Sequence, residues 1–145
     1  MAKQPIAIAA DHAGYPLKVL LRDELVALGY EPLDLGTHDA TTSVDYPDYG
    51  AALAGALKEW RCEKGVLICG TGIGISIAAN RHPGVRAALC HDETSARLAR
   101  EHNDANVLAL GARLIGDVVA RDCLRIFLTT EFGAGRHQPR VQKLG

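Results

Sequence analysis

A chain of 145 residues, 48% hydrophobic and 23% charged, is long enough to bury one sizeable core and too short to favour a second domain. Its 16 Lys+Arg against 17 Asp+Glu leave a formal net charge of -1; no strong field draws in a nucleic acid or a membrane surface, so a small-molecule partner is expected. No stretch approaches the roughly 18 apolar residues of a membrane span, and "MAKQPIAIAADHAG" lacks the apolar region of an export signal, which points to a cytoplasmic protein. Cys62, Cys69, Cys90 and Cys123 form no C-x-x-C pair and are expected as free thiols.

In chain order, "IAIAA" (6–10) reads as a short strand that ends at Asp11-His12. "YPLKVLLRDELVALG" follows with Leu17, Leu20, Leu21, Leu25 and Leu28 at helical spacing, closed by Gly29. A second strand falls near "YEPLDL", then a polar loop "GTHDATTSVDYP", then a helix from Pro47 to Trp60 expected to bury Leu53, Ala56, Leu57 and Trp60. "GVLIC" (65–69) is the third strand and "VRAALC" (85–90) the fourth, followed by a helix over about 92–102. "NVLAL" (106–110) is the fifth, and a long helix runs through "LIGDVVARDCLRIFLTT". Apolar strands alternating with helices imply a five-stranded parallel sheet covered on both faces, a doubly wound α/β structure in one domain.

Such sheets bind ligands beyond the carboxyl ends of their strands. Asp11 and His12 end the first strand, and Cys69 ends the third beside Gly70-Thr71-Gly72-Ile73-Gly74. Taken alone, Asp11 reads as a helix N-cap and His12 as a loop histidine. The glycine run has neither P-loop nor G-x-G-x-x-G spacing, so nucleotide binding has little support. What it offers is backbone N–H groups free to converge, reinforced by a helix expected to start near Ile75, with Thr71 and Ser76 adding hydroxyls. Cys69 is then either a small core residue, the commoner fate of a strand cysteine, or a thiol beside an oxyanion-stabilising turn. The spacing of the cysteines and six histidines gives no metal site, and no metal is expected.

Two later stretches carry further polar chemistry. In "REHNDANVLALGAR", Ser95, Leu98, Ala99 and His102 fall on one helical face, so His102 is a core histidine or a functional one. The tail, residues 131–145, gathers Arg136, His137, Arg140 and Lys143 among glycines and a proline that discourage regular structure. It reads as solvated surface, or as a phosphate grip that Arg113 would join.

Taken together, "AADHAG", "DYPDYG" at 45–50, "GVLICGTGIGISIAAN", "REHNDANVLALGAR" and "GRHQPRV" closely resemble, in order and spacing, the type B ribose-5-phosphate isomerases, whose family also contains the subunits of galactose-6-phosphate isomerase. The resemblance covers nearly the whole chain. It implies a Rossmann-like fold and an aldose–ketose isomerase with no metal or cofactor, acting on a sugar phosphate as a homodimer or dimer of dimers with shared sites. It makes Cys69 the base that moves the proton between C1 and C2, His102 with Thr71 the ring-opening group, and Asp11 the group exchanging a proton between O1 and O2. Backbone N–H groups of Gly70, Thr71, Gly72, Ile73, Gly74 and Ile75 would hold the enediolate. His12, Arg113, Arg136 and Arg140 would hold the phosphate, and Tyr46 and Asn103 would line the sugar. Some relatives place a glutamate further along the loop as base; Ile73 to Ser76 offer no carboxylate, so the cysteine mechanism fits. Ribose 5-phosphate is the expected substrate, with allose 6-phosphate, galactose 6-phosphate or a free aldose as rivals within the class. A flavodoxin-like nucleotide-binding module is the rival outside it.

Overall fold

A computed structural model describes residues 2–145. The chain alternates as β1 (Pro5–Ala10), α1 (Tyr15–Ala27), β2 (Glu31–Asp34), α2 (Tyr46–Lys58), β3 (Lys64–Cys69), α3 (Ile73–Asn80), β4 (Ala87–Leu89), α4 (Glu93–Asn103), β5 (Val107–Gly111) and α5 (Asp117–Thr129), followed by a 3-10 turn (Gly135–His137) and α6 (Gln138–Gln142). The strands form one parallel sheet in the order β2-β1-β3-β5-β4. Side chains alternate across it. Ile6, Ile8, Val66, Ile68, Leu108 and Leu110 pack against α1, α4 and α5, while Ala7, Ala9, Leu67, Cys69 and Ala109 pack against α2 and α3. The result is the expected three-layer α/β fold, with the apolar central strands β1, β3 and β5 buried on both faces.

Strand order reverses at β1 and β3: β1 leads outward to β2, and β3 leads the other way to β5. Register pairs Ala10 with Ile68 and Cys69 with Gly111, so β1, β3 and β5 deliver their carboxyl ends side by side. That is where a doubly wound sheet opens a crevice.

Four local expectations change. Trp60 is not buried with α2 but is 84% exposed. The helix ends at Lys58, and Trp60 turns the chain at φ 59 while Arg61 N–H returns to Ala56 O, so the helical spacing stops before it reaches the tryptophan. α3 begins at Ile73 rather than near Ile75, because Gly72 caps it with φ 78. A Cβ there would lie 2.8 Å from the Leu110 backbone, so only glycine fits both the dihedral and the space. α5 starts at Asp117, since Leu114 and Ile115 N–H groups both fold back onto Gly111 O. The tail is ordered as a 3-10 turn and a short helix, with Pro139 in the first turn, where its missing N–H costs nothing.

The sequence gives no warning of Lys18, whose side chain is fully buried under β2. Its Nζ meets Asp34 Oδ1 at 2.6 Å, and Arg22 holds Asp34 Oδ2 at 2.9 Å.

Candidate active site

The carboxyl-edge crevice is built by three strand ends. From β3, the Cys69 side chain is 4% exposed, and its Sγ accepts the Gly72 N–H at 3.1 Å. Thr71 Oγ1 accepts from Ile73 N–H at 3.2 Å. The N–H groups of Gly74 and Ile75, in the first turn of α3, donate to no acceptor among the described residues and stand at the positive end of the helix. Sulfur, hydroxyl and free donors thus share one turn. An anion that forms beside the sulfur meets donors already in place.

From β1, Asp11 is buried and its Oδ1 accepts Gly14 N–H at 2.9 Å, a local turn that fixes the carboxylate at the strand end; the N-cap of α1 is Gly14 and not Asp11. Half-buried His12 accepts Val44 N–H on Nδ1 at 3.1 Å. That bond ties the loop between β2 and α2 to the crevice and leaves Nε2 as the ring's donor. The loop delivers Tyr46, whose ring lies over Gly74: a Cβ added to Gly74 would be 2.6 Å from it. From β5, the Arg113 guanidinium lies over Gly70, 3.1 Å from where a Cβ would stand, and its backbone N–H donates to Gly70 O at 2.9 Å. Asp11, His12, Tyr46, Cys69, residues 70–75 and Arg113 are therefore brought together.

His102, Asn103, Arg136 and Arg140 are not. α4 runs back against the strands, and its 11 residues carry the chain about 16 Å to the amino edge, where β5 begins. There α5 also ends, and the tail returns so that Gly133 N–H donates to Glu101 O at 2.9 Å. His102, Asn103, Arg136, His137 and Arg140 line a pocket of about 380 Å³ at that edge. Arg113 does not join Arg136 and Arg140 within one chain, because β5 separates the two ends of the sheet. His102 is half-buried rather than on the packed face of α4, which Ala96, Ala99 and Arg100 supply. Its ring stacks on His137 instead, with centroids 4.3 Å apart and planes 19° from parallel. That contact joins two residues too distant in sequence for any periodicity to pair them.

All four cysteines are free and buried. Burial pushes the Cys90 thiol up to about 11 and Cys123 up to about 12, and raises Cys62.

A sequence profile of the family described as Ribose/Galactose Isomerase matches residues 6–144. Ribose-5-phosphate isomerase B of Escherichia coli is 43% identical over 139 residues, covering 96% of this chain and 93% of the relative. D-erythrulose-4-phosphate isomerase of Pectobacterium atrosepticum is also 43% identical, covering 97% and 92%. The solved structure of Clostridium thermocellum ribose-5-phosphate isomerase B superposes with a TM-score of 0.95 at 52% identity, covering 98% of this chain and 95% of that one.

Proposed function

The chain belongs to the ribose/galactose isomerase family, and from that premise we propose that it interconverts ribose 5-phosphate and ribulose 5-phosphate through an enediolate, with Cys69 as the base. The observation that carries the reading is the Cys69 sulfur, seated at the sheet's crevice with the Gly72 N–H on it and unpaired helix donors beside it. In the forward direction His102, supported by Thr71, opens the furanose. The Cys69 thiolate then takes the C2 proton of the open-chain aldose, and the electron pair forms the C1=C2 bond while charge develops on O1. Donors of residues 70–75 hold that charge. Asp11 carries the O2 proton to O1, and the thiol returns its proton to C1 as the C2 carbonyl forms.

The two clusters lie at opposite edges of one chain, so a complete site needs a second copy: a twofold homodimer, alone or as a dimer of dimers, that sets the amino edge of one chain against the carboxyl edge of its partner. Each site then combines His12 and Arg113 with Arg136 and Arg140 on the phosphate, while Tyr46 and Asn103 line the sugar. The tail 131–145 is part of the phosphate site.

Sugar length has a second reading, since relatives at equal identity carry the names of a pentose and a tetrose phosphate isomerase. A panel of phosphorylated and free tetroses, pentoses and hexoses tests both. Ribose 5-phosphate is expected to give the highest kcat/KM; preference for a tetrose or hexose phosphate would overturn the substrate, and no isomerisation at all would overturn the function.

A further inference from the structure

His137 has no role in the steps above, yet its ring stacks on the one assigned to sugar opening. The two imidazoles lie nearly parallel, centroids 4.3 Å apart, and no hydrogen bond among the described residues holds the His102 ring. His102 sits in the last turn of α4 and lines the amino-edge pocket, where a lone side chain would turn freely between rotamers. His137 is itself well anchored. It closes the 3-10 turn with its N–H on Ala134 O at 3.0 Å, and that turn is tied to α4 through Gly133 and Glu101. The fit is close: a Cβ on Gly133 would lie 2.9 Å from Glu101 O and 3.8 Å from His137 Cδ2.

We propose that His137 is a positioning residue for His102, its ring a fixed wall that holds the His102 imidazole in the one orientation sugar-ring opening needs. The inference rests on the proposed function and on the ring-opening role of His102. A consequence follows for the proton. A proton on His137 would face the stacked ring and two arginines, which disfavours it there. The charged groups around the stack act in the same sense. Partial desolvation, then His102, Arg136 and Arg140, hold His137 below the usual imidazole range, and Glu101 on α4 opposes them while it also pairs with Arg97 at 3.2 Å.

The two directions of the reaction separate this role from a general structural one. Ribose 5-phosphate is mostly a closed furanose, whereas ribulose 5-phosphate has its O5 esterified and is always open. His137→Ala in the full-length protein is expected to lower kcat from ribose 5-phosphate about tenfold, because misplacing a catalytic group by about 1 Å costs up to ~10²-fold. Turnover of ribulose 5-phosphate should fall less than twofold, its product closing in solution. His137→Phe keeps a flat wall and should restore most of the loss. Equal losses in both directions, full activity of His137→Ala, or no rescue by His137→Phe would overturn the inference. His102→Ala is the control for the reading beneath it: loss of both directions alike overturns the ring-opening role, and a wild-type protein inactive on both sugars overturns the function itself, either taking the inference with it.

Discussion

The N–H of Gly72 donates to Cys69 Sγ at 3.1 Å, so the turn that would receive the enediolate also grips the sulfur that would create it. Cys69→Ala should lower kcat roughly 10²-fold or more while leaving sugar-phosphate affinity nearly unchanged. Steady-state kinetics with a parallel binding measurement checks this, and retention of more than about a tenth of kcat would remove Cys69 from the role of base.

Thiol chemistry should single out the same residue. Burial holds Cys90 near 11 and Cys123 near 12 and raises Cys62, so none of the three offers much thiolate at pH 8. Iodoacetamide at that pH should modify Cys69 first, with loss of activity and protection by ribose 5-phosphate. Peptide mapping that finds inactivation tracking Cys62, Cys90 or Cys123 would contradict the assignment.

Arg140 stands in the amino-edge pocket with Arg136. If they grip phosphate, Arg140→Ala should raise KM for ribose 5-phosphate at least tenfold, the loss of one charge-assisted contact worth about 1.5–3 kcal/mol. Free ribose should be hardly affected. Comparable losses on both sugars would show that the arginine serves the fold and not the phosphate.

Because Cys69 and His102 lie at opposite ends of β5, their variants should complement each other. Cys69→Ala and His102→Ala proteins, each assayed from ribose 5-phosphate and mixed under conditions that exchange subunits, should form about one half mixed dimers, each with one intact site, and recover roughly a quarter of wild-type activity on that sugar. Exchange is verified independently with mass-tagged subunits. No recovery after verified exchange would place both groups in one chain's site.

Asp34 gives a stability prediction with a defined sign. Burial pushes its carboxyl up, but hydrogen bonds from Lys18, Gly36 and Arg22 outweigh this and leave it below the usual carboxylate value of 3.8. A group depressed in the folded state stabilises at pH above its unfolded pKa, and that stabilisation is lost as pH falls through the folded value. Asp34→Asn should cost about 3 kcal/mol at pH 7, because it strands the buried Lys18 charge. The difference from wild type should shrink as pH falls well below the ordinary carboxylate value and the native carboxyl takes up its proton. Denaturant unfolding across that range checks it; an equal difference at both ends would mean the carboxylate charge contributes nothing.

Much of the framework was legible because β1, β3 and β5 are buried on both faces and read as unbroken apolar runs. The carboxyl-edge cluster was legible in part for a related reason: strand ends in a doubly wound sheet converge whatever their spacing in sequence, so Asp11, His12 and Cys69 follow from topology, whereas Arg113 was read with the tail. Contacts with no local signature were not. The Lys18–Asp34 pair joins a helix to a neighbouring strand inside an apolar pattern that marks the lysine as surface. Trp60 matched the spacing of α2, yet the backbone reverses before it can pack. The glycines and proline of the tail argued against regular structure, but Gly135 opens a 3-10 turn and Pro139 takes a first-turn position that tolerates it. The stack of His102 on His137 depends on the whole length of α5 returning the chain to the amino edge.

Trp60 is the chain's single tryptophan, and at 84% exposure its indole already stands in water in the folded chain. Its fluorescence should therefore emit near the wavelength of the free chromophore and shift little on unfolding. A denaturation curve followed by that signal alone would miss the transition that circular dichroism sees. The same placement makes the indole a reporter of whatever covers its side of the amino edge, and quenching by iodide would read that coverage without any added label.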